Sequence, residues 1–146
     1  MGQEDSQITV VKSIKMATEL LLIDTDVLID YSRGIEKTKG ILKNLESDHI
    51  LTISVVTQLE LMVGCENKAD FTSLQKFLSN FEIIQLSKST SEKAVDLFKK
   101  YRLSHGVLIP DMLIASTALT LKIPLLSKNR KDFRFINKLE LIEYTI

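Results

Sequence analysis

The sequence predicts an α/β fold in which a parallel sheet is strung together by right-handed helical crossovers. Three observations carry this. Leu20-Leu21-Leu22-Ile23 is an unbroken aliphatic run closed by Asp24, the pattern of a strand covered on both faces. Further short apolar runs at 50–53, 82–86, 124–127 and 139–144 alternate with stretches of helical period. The 146 residues suffice for one domain that buries roughly two-thirds of its unfolded surface.

Taken in order, residues 1–15 are polar before Val10-Val11 and lack a clear period. They read as an N-terminal extension (a cloning remnant, an over-called start or a short appendage), which leaves 16–146 as the domain. After the first strand the chain turns, and Thr25 or Asp26 can cap a helix whose apolar positions are Val27, Leu28 and Tyr31. Gly34 then suits a left-handed helix end. A short helix over 36–46 carries Ile41, Leu42 and Leu45 and precedes the second strand.

Ser54 or Thr57 can cap the next helix, 55–64, which is apolar almost all round with Glu60 as its only charge. Such a helix is expected to be buried. An amphipathic helix over 68–80 follows, with Phe71, Leu74, Phe77 and Leu78, and then the third strand. Ser89 to Glu92 matches a capping box that opens a helix fading near Gly106. Pro110 fits the first position of a helix running to about residue 122, on which Asp111, Ile114, Ala115 and Ala118 share one face. After the strand at 124–127, residues 128–135 form a polar loop or a turn of helix before the last strand.

Composition narrows the function classes. Hydrophobic residues at 45% and charged ones at 26% are those of an ordinary globular protein. Nineteen basic and nineteen acidic residues cancel, which argues against a histone-like binder while leaving room for local basic patches. Cys65 is alone, so no internal disulfide is expected and a reducing, cytoplasmic setting fits. No run nears the ~18 apolar residues of a membrane span. Zinc-type His and Cys spacing, the phosphate-binding loop and the dinucleotide glycine motif are all missing.

What remains is carboxylate chemistry. Asp24 ends a strand, Glu60 interrupts an apolar helix and Asp111 lies in line with apolar residues on another. Singly, each has an ordinary reading: Asp24 or Asp26 as a cap, Asp111 at the positive end of its helix, Glu60 paired with an Arg. Jointly, a carboxylate taken from water costs several kcal/mol unless paired, hydrogen-bonded or bound to metal. Converging acids would suit Mg²⁺ or Mn²⁺, which take oxygen ligands and assist phosphodiester hydrolysis.

Four stretches also carry a family resemblance: 22–30 (LIDTDVLID), 53–64 (ISVVTQLELMVG), 109–119 (IPDMLIASTAL) and 126–133 (LSKNRKDF). In this order and spacing they resemble the successive motifs of PIN-domain ribonucleases, most nearly the VapC toxins of bacterial toxin–antitoxin pairs. The resemblance spans about residues 20–144. It implies a three-layer α/β/α sandwich with a central, mainly parallel sheet of four to five strands. It also implies an endoribonuclease dependent on Mg²⁺ or Mn²⁺, a homodimer held inactive by a cognate antitoxin, with tRNA a common target among such toxins.

By position Asp24, Glu60 and Asp111 match the family's metal-binding acids. In the fourth motif Ser127-Lys128-Asn129 stands where many members have Thr-X-Asp, so Asn129 would offer a neutral oxygen or orient a water, and Asp132 would supply the missing catalytic charge. Thr25, Asp26, Ser127 and Asn129 take supporting roles; Asp26, where Asn or Ser is commoner, is either a further ligand or the helix cap, and the cap is favoured. Lys128, Arg130 and Lys131 lead the RNA-binding candidates within a basic window at 122–138. No aromatic-rich platform marks base selection. Two alternatives stand beside this reading: a PIN-like scaffold that only binds RNA or protein, and a haloacid-dehalogenase-type phosphatase, which also begins with a strand and Asp-X-Asp.

Overall fold

The computed structural model describes residues 19–144, so the boundary expected at residue 15 lies outside them. Among the described residues five strands form one sheet, in the order β3-β2-β1-β4-β5, with every neighbouring pair parallel. Strand β1 (Leu20–Ile23) lies at its centre, between β2 (Ile50–Ser54) and β4 (Leu125–Ser127), with β3 (Glu82–Ile84) and β5 (Leu141–Glu143) at the edges. The helices are α1 (Thr25–Ser32), α2 (Glu36–Leu45), α3 (Val55–Val63), α4 (Lys68–Leu78), α5 (Lys88–His105), α6 (Ile109–Leu121) and α7 (Arg130–Phe133).

The pleat sends alternate side chains of the sheet to two cores. Leu22 and Leu125 face one, with Leu97 and Tyr101 of α5, Ile114 and Ala118 of α6, and Phe133 of α7. Leu21, Ile23, Ile53 and Leu126 face the other, with Val27 and Leu28 of α1, Leu42 of α2 and Leu78 of α4. Both sides of β1 are thus sealed, which is why its residues show no polar alternation.

Several local expectations shift. Ser87, not Ser89, caps α5: its Oγ accepts from Thr90 N at 3.0 Å, because the first hydroxyl in this serine-rich run takes the orphan amide. Ser54 ends β2 and caps α3, while Pro110 is the second residue of α6, not the first. The larger correction is α3. Leu59 is 56% exposed and Val63 86%, so the helix expected to be buried is only half covered by its own chain.

Candidate active site at the carboxyl end of the sheet

The chain runs outward from β1 through β2 to β3 and then returns to place β4 on the other side of β1. The gap between β1 and β4 is therefore the switch point at which open α/β sheets form their clefts. Asp24 leaves β1 there and Ser127 ends β4. The Ser127 hydroxyl donates to Asp24 Oδ2 at 2.8 Å, and Asn129 N donates in turn to Ser127 Oγ at 2.9 Å. Asp24 Oδ1 accepts from Thr25 N at 2.9 Å, which makes Asp24 the cap of α1.

Asp26 had been expected to cap this helix, and it does not. Starting α1 at Thr25 leaves the amide to Asp24 and turns Asp26 inward, where both its carboxylate oxygens are buried with no hydrogen-bond donor among the described residues. Two carboxylates side by side can satisfy each other only by sharing a proton or a cation. Burial, and then the charge of Asp26, push the Asp24 carboxyl up to about 8. Burial raises Asp26 as well.

Two further acids reach this corner from other helices. Asp111, in the first turn of α6, is raised to about 6, by burial first and then by the charges of Asp132, Glu60 and Asp26. Those three acids are its electrostatic neighbours, although they come from α7, α3 and α1. Glu60 is exposed, and its Oε1 accepts from Thr25 Oγ1 at 2.7 Å. Asp132 lies exposed on α7. Asn129 precedes that helix without a side-chain capping bond. Among the described residues no three His, Cys, Asp or Glu side chains form a ready-made metal cluster.

Lys128, expected as an RNA contact, is held elsewhere: its Nζ donates to Asp30 Oδ2 at 2.8 Å. Asp30 is 3% exposed and also accepts from Tyr144 Oη at 3.4 Å. The sequence reading gave Asp30 no role. Its spacing of one helical turn from Asp26 is the signal that could have placed it on the same face of α1. Tethered there, the Lys128 charge also lowers the Asp26 carboxyl, partly offsetting burial. Arg130 and Lys131 lie on exposed positions of α7.

The PIN domain family matches residues 21–139 of this chain. The chain belongs to the PIN-domain family. Within it, Ribonuclease VapC10 of Mycobacterium tuberculosis is 30% identical over 122 residues, which cover 83% of this chain and 91% of that protein. A toxin–antitoxin complex from Klebsiella pneumoniae contains a chain 31% identical, with a TM-score of 0.71 over 86% of this chain and 99% of that one. VapBC2 of Rickettsia felis, solved bound to a DNA fragment from its promoter, gives 25% identity and a TM-score of 0.74 over the same shares. Membership in the PIN family sets aside the phosphatase alternative, and the five-stranded parallel sheet is the PIN-like sandwich anticipated from the motifs.

Proposed function

We propose that this PIN-domain protein is an endoribonuclease, the toxin of a toxin–antitoxin pair, and that it hydrolyses RNA phosphodiester bonds with Mg²⁺ or Mn²⁺ at the acid corner. The observation that carries the reading is Asp26, whose two buried oxygens have no hydrogen-bond donor among the described residues, beside the buried Asp24. That pair fits a cation better than it fits itself. An oxygen-only donor set suits a hard divalent ion, with Asp24, Asp26 and Asp111 as holders and Glu60 and Asp132 at the rim. When bound, such an ion supplies Lewis acidity that activates water and neutralises charge building on the phosphate.

The chain's own residues hold this arrangement in shape. Ser127 Oγ and Thr25 N fix the two oxygens of Asp24, and Thr25 Oγ1 holds Glu60 toward the same corner. Asp132, whose charge acts on Asp111 ahead of Glu60 and Asp26, supplies the fourth acid that Asn129 cannot. Arg130 and Lys131, one and two residues beyond Asn129, are placed to hold flanking phosphates.

The relatives' names, a ribonuclease and toxin–antitoxin complexes, support a ribonuclease that pairs with an antitoxin. Two apolar surfaces are open to protein partners, that antitoxin and a second copy of the chain. One is formed by Leu59 and Val63, one turn apart on α3. The other joins Val95 of α5 to Ile109 at the start of α6. Among the described residues no helix is long and apolar enough to cross a membrane. A cytoplasmic location, where RNA is found and Cys65 stays a free thiol, belongs to the same reading.

The test is cleavage of small structured RNAs, tRNA included, by purified protein with Mg²⁺ or Mn²⁺, together with calorimetric titration of Mn²⁺. Wild type should bind and cut; Asp24→Asn should lower cleavage at least about 100-fold and weaken Mn²⁺ binding. Equal cutting by the two proteins under every metal would sink the proposal. RNA binding that persists in EDTA, with no turnover under either metal, would make the chain a scaffold.

A further inference from the structure

The sequence shows no run of aromatic residues, yet the fold assembles a small stack from three separate positions. His105, the last residue of α5, lies face to face with Phe135, their centroids 4.0 Å apart and their planes 19° from parallel. Tyr101, one turn earlier on α5, meets Phe135 edge-on at 4.9 Å and 64°. Tyr101 is buried and Phe135 half-buried, whereas His105 is exposed. The stack therefore has an anchored base and a flat upper ring in water.

Its support is rigid. Gly106 ends α5 in the left-handed region at φ +64°, which allows the chain to leave the helix at once. Arg102 then clamps the departing loop, with Nη1 donating to Val107 O at 2.7 Å and to Gly106 O at 3.3 Å. Ser104 Oγ lies 2.7 Å from His105 Nδ1 and sets the tilt of the imidazole. A ring held this firmly loses little freedom when something stacks on it.

Its address matters as much. His105 stands six residues before Asp111, and Phe135 three residues after Asp132, so both partners of the stack belong to segments that deliver acids to the site. Arg134 adjoins Phe135, and Arg130 and Lys131 lie one turn away on α7. An exposed flat ring and a run of cations, carried by the two segments that hold Asp111 and Asp132, are the two parts of a single-strand site, a stacking face and a backbone grip.

We propose that His105, backed by Phe135, is a nucleobase-stacking platform that holds an unpaired base of the RNA a few nucleotides from the bond to be cut. The proposal rests on the ribonuclease reading and adds that the enzyme takes its target where the strand is unstacked. Base–aromatic stacking tolerates any base, so the platform selects for single-strandedness and spacing, not for one sequence.

The test uses full-length Asp24→Asn protein, so that RNA is bound without being consumed, and single-stranded oligoribonucleotides with 2-aminopurine at successive positions. One position should be quenched on binding. Adding His105→Ala should abolish that quench and weaken binding roughly tenfold, whereas His105→Phe should keep both. His105→Ala also loses its ring contacts with Phe135 and Tyr101, so its thermal midpoint should drop by a few degrees at most, whereas His105→Phe should keep that of the parent. The proposal fails if His105→Ala binds and quenches like the parent, or if His105→Phe behaves like His105→Ala, which would assign the effect to the ring nitrogens. A His105→Ala change that alters sedimentation but not quenching would give the platform to a protein partner and overturn it. RNA cutting by His105→Ala at the wild-type rate on every substrate would end this proposal alone, whereas no binding or cutting by the native chain would end the ribonuclease reading too.

Discussion

Helices α3 and α6 look alike in sequence and differ in the fold. Each is an apolar run interrupted by one acid, Glu60 in the first and Asp111 in the second. In α6, Met112 and Ile114 are 1% exposed, and the helix packs in one core with the sheet and α5. In α3, only Val56 and Thr57 are buried while Leu59 and Val63 stand in solvent. Apolarity thus states that a helix is to be covered, but not by whose atoms. The acids follow their helices: Asp111 is partly desolvated and held near 6, whereas Glu60 stays in water and is positioned by a hydroxyl.

The comparison is broken most directly by truncation. Ile114→Ala should destabilise the isolated chain by about 2–5 kcal/mol through lost burial and the cavity left behind. Val63→Ala should change it by less than about 0.5 kcal/mol, as an exposed substitution does. Urea denaturation of both variants measures the difference. A comparable loss in Val63→Ala would mean that α3 is packed within its own chain, and the contrast between the helices would disappear.

Neutralising the two acids sharpens the contrast through pH. Asp111 holds its proton to about 6 in the folded chain, against an ordinary 3.8, and Asp24 to about 8. The folded state therefore binds more protons than the unfolded one between about pH 4 and 8, and its stability must fall as pH rises across that window. Asp111→Asn should remove the part of this fall that lies between about pH 4 and 6 and raise the midpoint at pH 8 by about 2–4 °C without divalent ions. Glu60→Gln removes one of the charges that raise Asp111, so it should lessen that slope, by less than Asp111→Asn does. Thermal melts at pH 5, 6.5 and 8 in EDTA check both. A flat profile in the native chain would contradict the burial assigned to this corner.

How far the sequence could be read follows from the same division. The alternation of strands and helices, and Asp24, Glu60 and Asp111 as candidates, were legible because each sits where a local pattern breaks: an aliphatic run ends, or a charge enters an apolar face; Asp132, in a polar run, came from the resemblance alone. Asp26 was misjudged because a cap one residue early or late leaves the same letters, and only the start of α1 at Thr25 decides it. The Lys128–Asp30 pair joins residues 98 apart, and the stack of His105 on Phe135 joins α5 to the segment after α7. No window along the chain contains either pairing. The exposure of α3 was hidden for another reason, since an apolar helix reads the same whether its own chain covers all of it or half.

Thr25 links the two helices and carries the smallest predicted effect. Its hydroxyl lies 2.7 Å from Glu60 Oε1 and 2.9 Å from Thr57 Oγ1. A hydroxyl has one proton, and the carboxylate is the stronger acceptor, so that proton serves Glu60 and the buried Thr57 hydroxyl completes the chain behind it. Thr25→Val keeps the shape, the backbone amide on Asp24 and the helix start, and removes only the tether. Glu60 would then sample solvent instead of facing Asp111, so RNA cleavage should fall about 5- to 10-fold, equivalent to about 1 kcal/mol. The melting midpoint should hardly move, and Thr25→Ser should restore the rate. Full activity in Thr25→Val would show that the exposed acid of α3 needs no positioning, leaving the half-buried Asp111 of α6, with Asp24 and Asp26 at the start of α1, to define the site.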